Sequence, residues 1–316
     1  MNKKISLVVS VYNEEGALQN FYNEAVKVCE TLLIWDYEII FVNDGSVDGS
    51  LSLLEKFASV NSNIKVVDFS RNFGHEAAMI AGIDYATGDA IVCMDADLQH
   101  PPKIIPQIIE KIENGFDVVS MIRTKNDDAS LVKKITSRAF YGVLNMMSKS
   151  KFEPNSSDFF AISKKVADVL RNDYREKVRY LRGFVQNVGF KKTTLEFEAG
   201  KRVAGESKYS ISKLVKFSVN AICSFSDLPL KLGIYTGSFV GFAGLILMLY
   251  SIINKFINDA PSGYTTIVVA LCFLFAVLLF VVGIIGQYIS ILFFEIKDRP
   301  IYIVNKVINE EEKNDK

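Results

Sequence analysis

Short apolar runs bounded by turn residues alternate along most of the chain with longer stretches of helical spacing. Residues 5–11, 37–42, 64–69, 89–94, 117–121 and 159–162 read as strands. Between them, residues 15–33, 50–59 and 75–86 repeat apolar positions every three or four residues. A further helix follows Pro101 and Pro102, where proline suits a first turn. Strands alternating with helices predict an α/β domain around a mostly parallel sheet covered on both faces. Ligands of such sheets bind beyond the carboxyl ends of the strands, so the loops there are expected to carry the chemistry.

The pattern changes near Lys231. Residues 232–254 carry no charge, Lys255 and Asp259 interrupt, and residues 260–294 are again uncharged. A membrane-spanning helix needs about 20 apolar residues, which predicts two spans, near 234–253 and 265–289. Lys208, Lys213, Lys216 and Lys231 precede the first, Lys297, Arg299 and Lys306 follow the second, and the loop between offers only Lys255. By the positive-inside rule both termini are expected in the cytoplasm, with a multi-pass anchor in the plasma (inner) membrane. Residues 5–11 are too short for a signal-peptide core and run directly into Tyr12-Asn13-Glu14-Glu15. The expected organisation is a cytoplasmic catalytic domain over 1–210, an interfacial region over 211–231, the spans within 232–294, and a cytoplasmic tail over 295–316. Within the interfacial region Ile211, Leu214, Val215, Val219, Ile222 and Phe225 share one helical face. That face lies in the bilayer interface or packs on the catalytic domain.

Composition narrows the function. Thirty-six basic residues balance 36 acidic ones, so general nucleic-acid binding, which rests on a basic surplus, is excluded. With 49% hydrophobic residues the chain is not disordered. Cys29, Cys93, Cys223 and Cys272 lack metal-type spacing and read as free thiols, and two histidines, His75 and His100, are too few for a histidine-built metal site. No Gly-x-Gly-x-x-Gly follows the first strand and no phosphate-cradling Gly-Lys-Ser/Thr loop occurs, which argues against a dinucleotide oxidoreductase or a P-loop NTPase.

The sharpest chemical signal is Asp95-Ala96-Asp97-Leu98-Gln99, just past the fourth strand. Read as extended chain, it turns Asp95, Asp97 and Gln99 the same way. Two carboxylates and an amide oxygen form a hard ligand set suited to Mg²⁺ or Mn²⁺. Upstream, Tyr12 is available to stack on a base or to pack locally. Asp44 is available to accept from a base or ribose, or to cap the helix that follows.

Several motifs resemble glycosyltransferase family 2, in its polyprenyl-phosphate branch of dolichol-phosphate mannose synthases and bactoprenol glucosyltransferases. They are Ser10-Val11-Tyr12-Asn13-Glu14, Asp44-Gly45-Ser46-x-Asp48-Gly49, Arg71-Asn72-Phe73-Gly74, Met94 to Pro102, and Gly205-x-Ser207-Lys208-Tyr209. The resemblance runs through both spans to Lys297-Asp298-Arg299-Pro300-Ile301-Tyr302. One position departs from it: family members often have proline where Ser10 stands.

The resemblance implies a GT-A fold, Rossmann-like, followed by an interfacial helix and two transmembrane helices. It implies an inverting, metal-dependent transfer of a hexose from a nucleotide sugar to a polyprenyl phosphate such as undecaprenyl phosphate. UDP-glucose is the first donor expected and UDP-N-acetylglucosamine the second. Tyr12, Glu14, Asp44 and Asp95 are expected on the donor, and Asp95, Asp97 and Gln99 on the metal. Asp158 corresponds to the family's proposed base. An acceptor phosphate monoester, with a second pKa of about 6, is already largely dianionic, so Asp158 is equally expected to orient substrate. Arg202, Ser207 and Lys208, in a glycine-flanked lid, and Arg123 and Arg138 by family position, are expected on the acceptor phosphate. Asp158, Arg202 and Lys208 form the expected catalytic set, and a second copy of the chain is kept among the partners. A processive synthase would carry a Gln-x-x-Arg-Trp element, whereas the single tryptophan is Trp35. A catalytically inactive membrane scaffold is the different-class alternative.

Overall fold

The computed structural model describes residues 3–124, 156–177, 179–198, 228–257 and 263–309. The chain divides into two compact units, Met1–Ser210 with Pro300–Lys316, and Ile211–Arg299.

The first unit holds an eight-stranded mixed sheet: β1 (Lys3–Val11), β2 (Trp35–Asn43), β3 (Ile64–Phe69), β4 (Ala90–Asp95), β5 (Val118–Arg123), β6 (Ser156–Ser163), β7 (Lys192–Phe197) and β8 (Val304–Ile308). Its order is β7-β5-β6-β4-β1-β2-β3-β8. The four central strands, β4-β1-β2-β3, are mutually parallel. They are the strands whose apolar runs are nearly continuous, because helices cover both faces. Ile5, Leu7, Val8, Val9, Ile39, Ile40, Phe41 and Val42 are all fully buried. Among the described residues the sheet is accompanied by helices α1 (Glu15–Glu30), α2 (Ser50–Val60), α3 (His75–Tyr85), α4 (Ile105–Glu113), α5 (Lys164–Asn172) and α6 (Leu181–Asn187). Phe21 of α1 and Phe57 of α2 close on Phe41, with ring centroids 6.2 and 6.3 Å away. On α3, a Cβ at Gly82 would come within 2.1 Å of a Val8 methyl carbon, so only glycine lets this helix lie so close to β1.

Sequence patterning found the first six strands within a few residues of their bounds but missed β7, β8, α5 and α6. The expected tail over 295–316 requires correction, because it contains β8, which pairs antiparallel with β3 through Val66↔Ile308 and Val67↔Val307. Side chains fasten it. The Tyr302 ring stacks on Phe69 at 5.2 Å and its hydroxyl donates to Asp84 Oδ2 at 2.7 Å. Arg175 in turn grips both oxygens of Asp84, at 2.8 and 3.0 Å.

At the opposite end of the sheet from the carboxyl tips, Glu38 is buried among Ser6, the Thr87 backbone amide, Lys4 (3.1 Å) and Lys65 (3.8 Å). Burial alone would raise its pKa, but these donors and cations together hold it below the usual carboxylate range. A depressed folded-state pKa contributes stability above the unfolded pKa and loses it as pH falls. Glu38→Gln is therefore expected to cost about 3 kcal/mol at neutral pH, the order seen when one partner of a buried ion pair is removed. In thermal melts the difference from wild type should shrink as pH drops below about 4.

The second unit contributes α7 (Leu228–Ile257) and α8 (Tyr264–Ile296). At 1.5 Å per residue they run ~45 and ~50 Å, beyond the ~30 Å hydrocarbon core of a bilayer. Both are long and apolar enough to cross a membrane. Their large side chains face outward, including Phe239 (74% exposed), Phe242 (65%) and Leu279 (67%), which no core helix of a water-soluble domain does. Gly233 is buried against Val281 of α8, the small-residue contact by which apolar helices pair.

Candidate active site

The parallel order reverses between β1 and β4, and at their tips Ser10 lies in register with Asp95. Such a switch point opens a crevice beyond the carboxyl ends of the strands. Because β6 is antiparallel to both β4 and β5, its beginning, with Asp158, comes to the same side as Asp95 and Arg123.

Asp95 ends β4, and the Asp95–Gln99 segment is a turn instead of extended chain. Leu98 adopts a left-handed φ of 61°. The reading of alternating side chains therefore needs correction: Asp97 and Gln99 meet through the turn. The Gln99 backbone N–H donates to Asp97 Oδ1 (3.0 Å) and its side-chain amide to Oδ2 (2.9 Å). Arg123 donates to Gln99 Oε1 at 3.3 Å, while its Nε is buried with no hydrogen-bond partner among the described residues. Asp97 is almost buried and the Asp95 side chain is one-third exposed. Among the described residues no three His, Cys, Asp or Glu side chains converge as a metal cluster, so this tip offers two carboxylates and an amide.

Both histidines, set aside on the sequence as too few for a metal site, flank Asp95. His75 Nδ1 lies 2.9 Å from the Ser10 hydroxyl, which donates to Asp95 Oδ1 at 3.3 Å. Burial would lower the His75 pKa, but Asp95, Asp158, Glu76 and Asp44 together raise it. On the other side the Asp95 backbone N–H donates to His100 Nδ1 at 3.0 Å, so that ring keeps its proton on Nε2. The His100 ring stacks on Phe159 at 4.9 Å.

Asp158 faces Arg182 of α6, whose guanidinium lies 3.6 Å from Oδ1. Burial pushes the Asp158 carboxyl up, but Arg182, His75 and His100 outweigh it and hold it below the usual range. Glu76, in the first turn of α3, moves the other way. Its burial and the neighbouring Asp158 charge raise it, against His75, the Leu181 N–H that donates at 2.7 Å, and Arg182.

The loops after β1 and β2 are knitted together. Asn13, at a left-handed φ of 56°, accepts from the Val47 N–H (2.9 Å), and its own N–H donates to the Ser46 hydroxyl (3.0 Å). The Glu14 N–H donates to the Ser50 hydroxyl at 3.0 Å. Tyr12 stands exposed at the tip of β1. Asp44 does not cap α2. Its buried carboxylate accepts from the Phe73 N–H (2.6 Å) and the Gly74 N–H (2.9 Å), tying this loop to the start of α3. Gly45 makes that approach possible: its φ is 66°, and a Cβ there would sit 2.5 Å from the Arg71 carbonyl carbon.

Arg138, Arg202, Ser207, Lys208 and the helix expected over 211–225 lie outside the described residues. Sequence reasoning missed His75, Glu76, His100 and Arg182 as members of the site. The available signal was that His75 and Glu76 open a helix directly after a strand-tip loop.

Residues 6–171 match the sequence profile of Glycosyl transferase family 2. The chain belongs to that family. In this glycosyltransferase, residues 228–292, covering most of α7 and α8, match the GtrB C-terminal hairpin. The enzyme is 39% identical over 302 residues to the glycosyltransferase YkcC of Bacillus subtilis, covering 95% of this chain and 93% of that one. It is 36% identical over 304 residues to the SfII prophage-derived bactoprenol glucosyl transferase of Shigella flexneri, covering 96% and 98%. It is also 36% identical over 305 residues to the prophage bactoprenol glucosyl transferase homolog of Escherichia coli, covering 96% and 99%.

Proposed function

We propose that the enzyme transfers glucose from UDP-glucose to a polyprenyl phosphate at the cytoplasmic face of the plasma membrane, with inversion at the anomeric carbon. UDP-N-acetylglucosamine is the second donor to test. The similarity to bactoprenol glucosyl transferases across nearly the whole of both chains supports the sugar and the lipid acceptor. The observation that carries the chemical part is the placing of Asp95, Asp158 and the part-satisfied Arg123 guanidinium at the same end of the sheet, beside the switch point.

The Asp95, Asp97 and Gln99 oxygens fit a hard divalent cation, because two carboxylates and an amide oxygen are gathered at one turn and the Asp95 side chain is one-third exposed. When bound, Mg²⁺ or Mn²⁺ would neutralise charge on the departing diphosphate. Tyr12 stacks on the base. Asp44 shapes the donor pocket through the Phe73 and Gly74 amides, and Glu14 stands beside it. Arg123, with Arg138, Arg202, Ser207 and Lys208, binds the acceptor phosphate, whose oxygen attacks C1 as the bond from C1 to the diphosphate breaks. The dianionic nucleophile has no proton to lose, so Asp158, kept ionised beside Arg182, serves to orient substrate.

The chain before α7 and the chain after α8 both belong to one sheet, which supports an even number of crossings and a single-sided catalytic domain. The direct test is to incubate membranes containing the protein with radiolabelled UDP-glucose, undecaprenyl phosphate and Mg²⁺. Label should move into chloroform-soluble lipid. No lipid label from UDP-glucose or from a panel of other nucleotide sugars would favour the inactive scaffold.

A further inference from the structure

Ser10 interrupts a strand that is otherwise apolar from Leu7 to Val11. Its register partner across the parallel ladder is Asp95. The hydroxyl has one proton to donate and two neighbours, Asp95 Oδ1 at 3.3 Å, to which it donates, and His75 Nδ1 at 2.9 Å. With His75 protonated at Nδ1, the lone pair left on Ser10 accepts from that nitrogen at 2.9 Å. The result is a directed chain, His75 N–H to Ser10 oxygen and Ser10 O–H to Asp95, running from the first residue of α3 across the tip of β1 to the tip of β4. From the opposite side the Asp95 backbone N–H is bonded to His100, and the His100 ring is stacked on Phe159. Asp95 is thus held at its backbone and at one carboxylate oxygen.

We propose that Ser10 is a positioning residue for the cation site: its hydroxyl, oriented by His75, fixes the Asp95 carboxylate in the rotamer that receives a divalent metal. This rests on the reading that Asp95 ligates the cation. Outer hydrogen bonds to a ligating carboxylate restrict its rotation and typically govern 10–100-fold of metal affinity.

The test uses the purified full-length protein in detergent, without donor or acceptor, titrated with Mn²⁺ while free Mn²⁺ is followed by electron paramagnetic resonance. Ser10→Ala should weaken Mn²⁺ binding by about 10-fold or more. Ser10→Thr keeps the hydroxyl on a side chain suited to a strand and should bind close to wild type. Equal affinity in Ser10→Ala and wild type overturns the proposal, and so does Ser10→Thr binding as weakly as Ser10→Ala. Asp95→Asn separates the two levels of the argument. If it binds Mn²⁺ like wild type, Asp95 is no ligand and the cation reading itself fails. If it loses binding while Ser10→Ala does not, only the role of Ser10 fails.

Discussion

Replacing Asp95 with alanine is expected to lower transfer of labelled glucose into lipid by about 10³-fold or more, with Asp97→Ala close behind. Stabilisation of charge that develops only as the bond breaks is commonly the largest single contribution to catalysis, and loss of one preorganised partner costs 10²–10³-fold. In the proposed reaction the departing diphosphate would gather its charge beside the β4 tip, where Asp95 and Asp97 stand. Without a cation held by Asp95 and Asp97, the two carboxylates would repel the leaving group. Exhaustive EDTA treatment of wild type should reproduce the loss, and added Mg²⁺ or Mn²⁺ should reverse it. Initial rates at saturating donor are the measurement. Activity within tenfold of wild type in Asp95→Ala, or full activity after chelation, would remove the metal from the reaction.

The second large effect concerns Asp158. Asp158→Asn should lower the maximal rate by about 100-fold, in the range lost when a preorganised polar group is removed, while keeping the limb that the acceptor phosphate sets near pH 6. Three groups bear on the profile: Asp158, the acceptor phosphate, and His75, whose raised pKa Asp158 helps to set and which therefore moves down in the variant. Asp158 has its pKa depressed, so it is ionised throughout the range above the usual carboxylate pKa. The acceptor phosphate loses its second proton near pH 6, so the rate should rise as pH passes upward through that value in both proteins. Rate measurements from pH 5 to 8 decide it. A limb near pH 6 that disappears in Asp158→Asn would make the carboxylate the proton acceptor.

Much of the catalytic half was legible because its strands are buried on both faces and so read as unbroken apolar runs. The Asp95–Gln99 turn was legible in position but not in shape. Nothing local marks Leu98 for a left-handed backbone, a conformation most often taken by glycine or asparagine. The contacts that hold Asp95 were illegible for a different reason: Ser10 and Asp95 are neighbours only through strand pairing, and His75 arrives on a helix packed over β1. Arg182 and Glu76 likewise meet Asp158 through tertiary packing that single-chain periodicity does not encode. The last strand was missed because Val304-Asn305-Lys306-Val307-Ile308 is short, half polar and followed by acidic residues. Its partner lies more than two hundred positions upstream, a pairing that loop-closure entropy disfavours until the sheet already exists.

That strand makes the hydrophobic hairpin an insertion within the enzyme and not an appendage to it. A shortened protein ending before Leu228 would keep Tyr12, Asp44, Asp95, Asp97, Asp158 and Arg182, yet it would leave the hydrogen-bonding rim of β3 bare along Val66 and Val67. A naked rim of that kind recruits other chains, so solubility gained by removing the greasy helices would be lost again to self-association. Supplying residues 300–309 as a separate peptide, or splicing them onto the shortened chain, would restore the missing border.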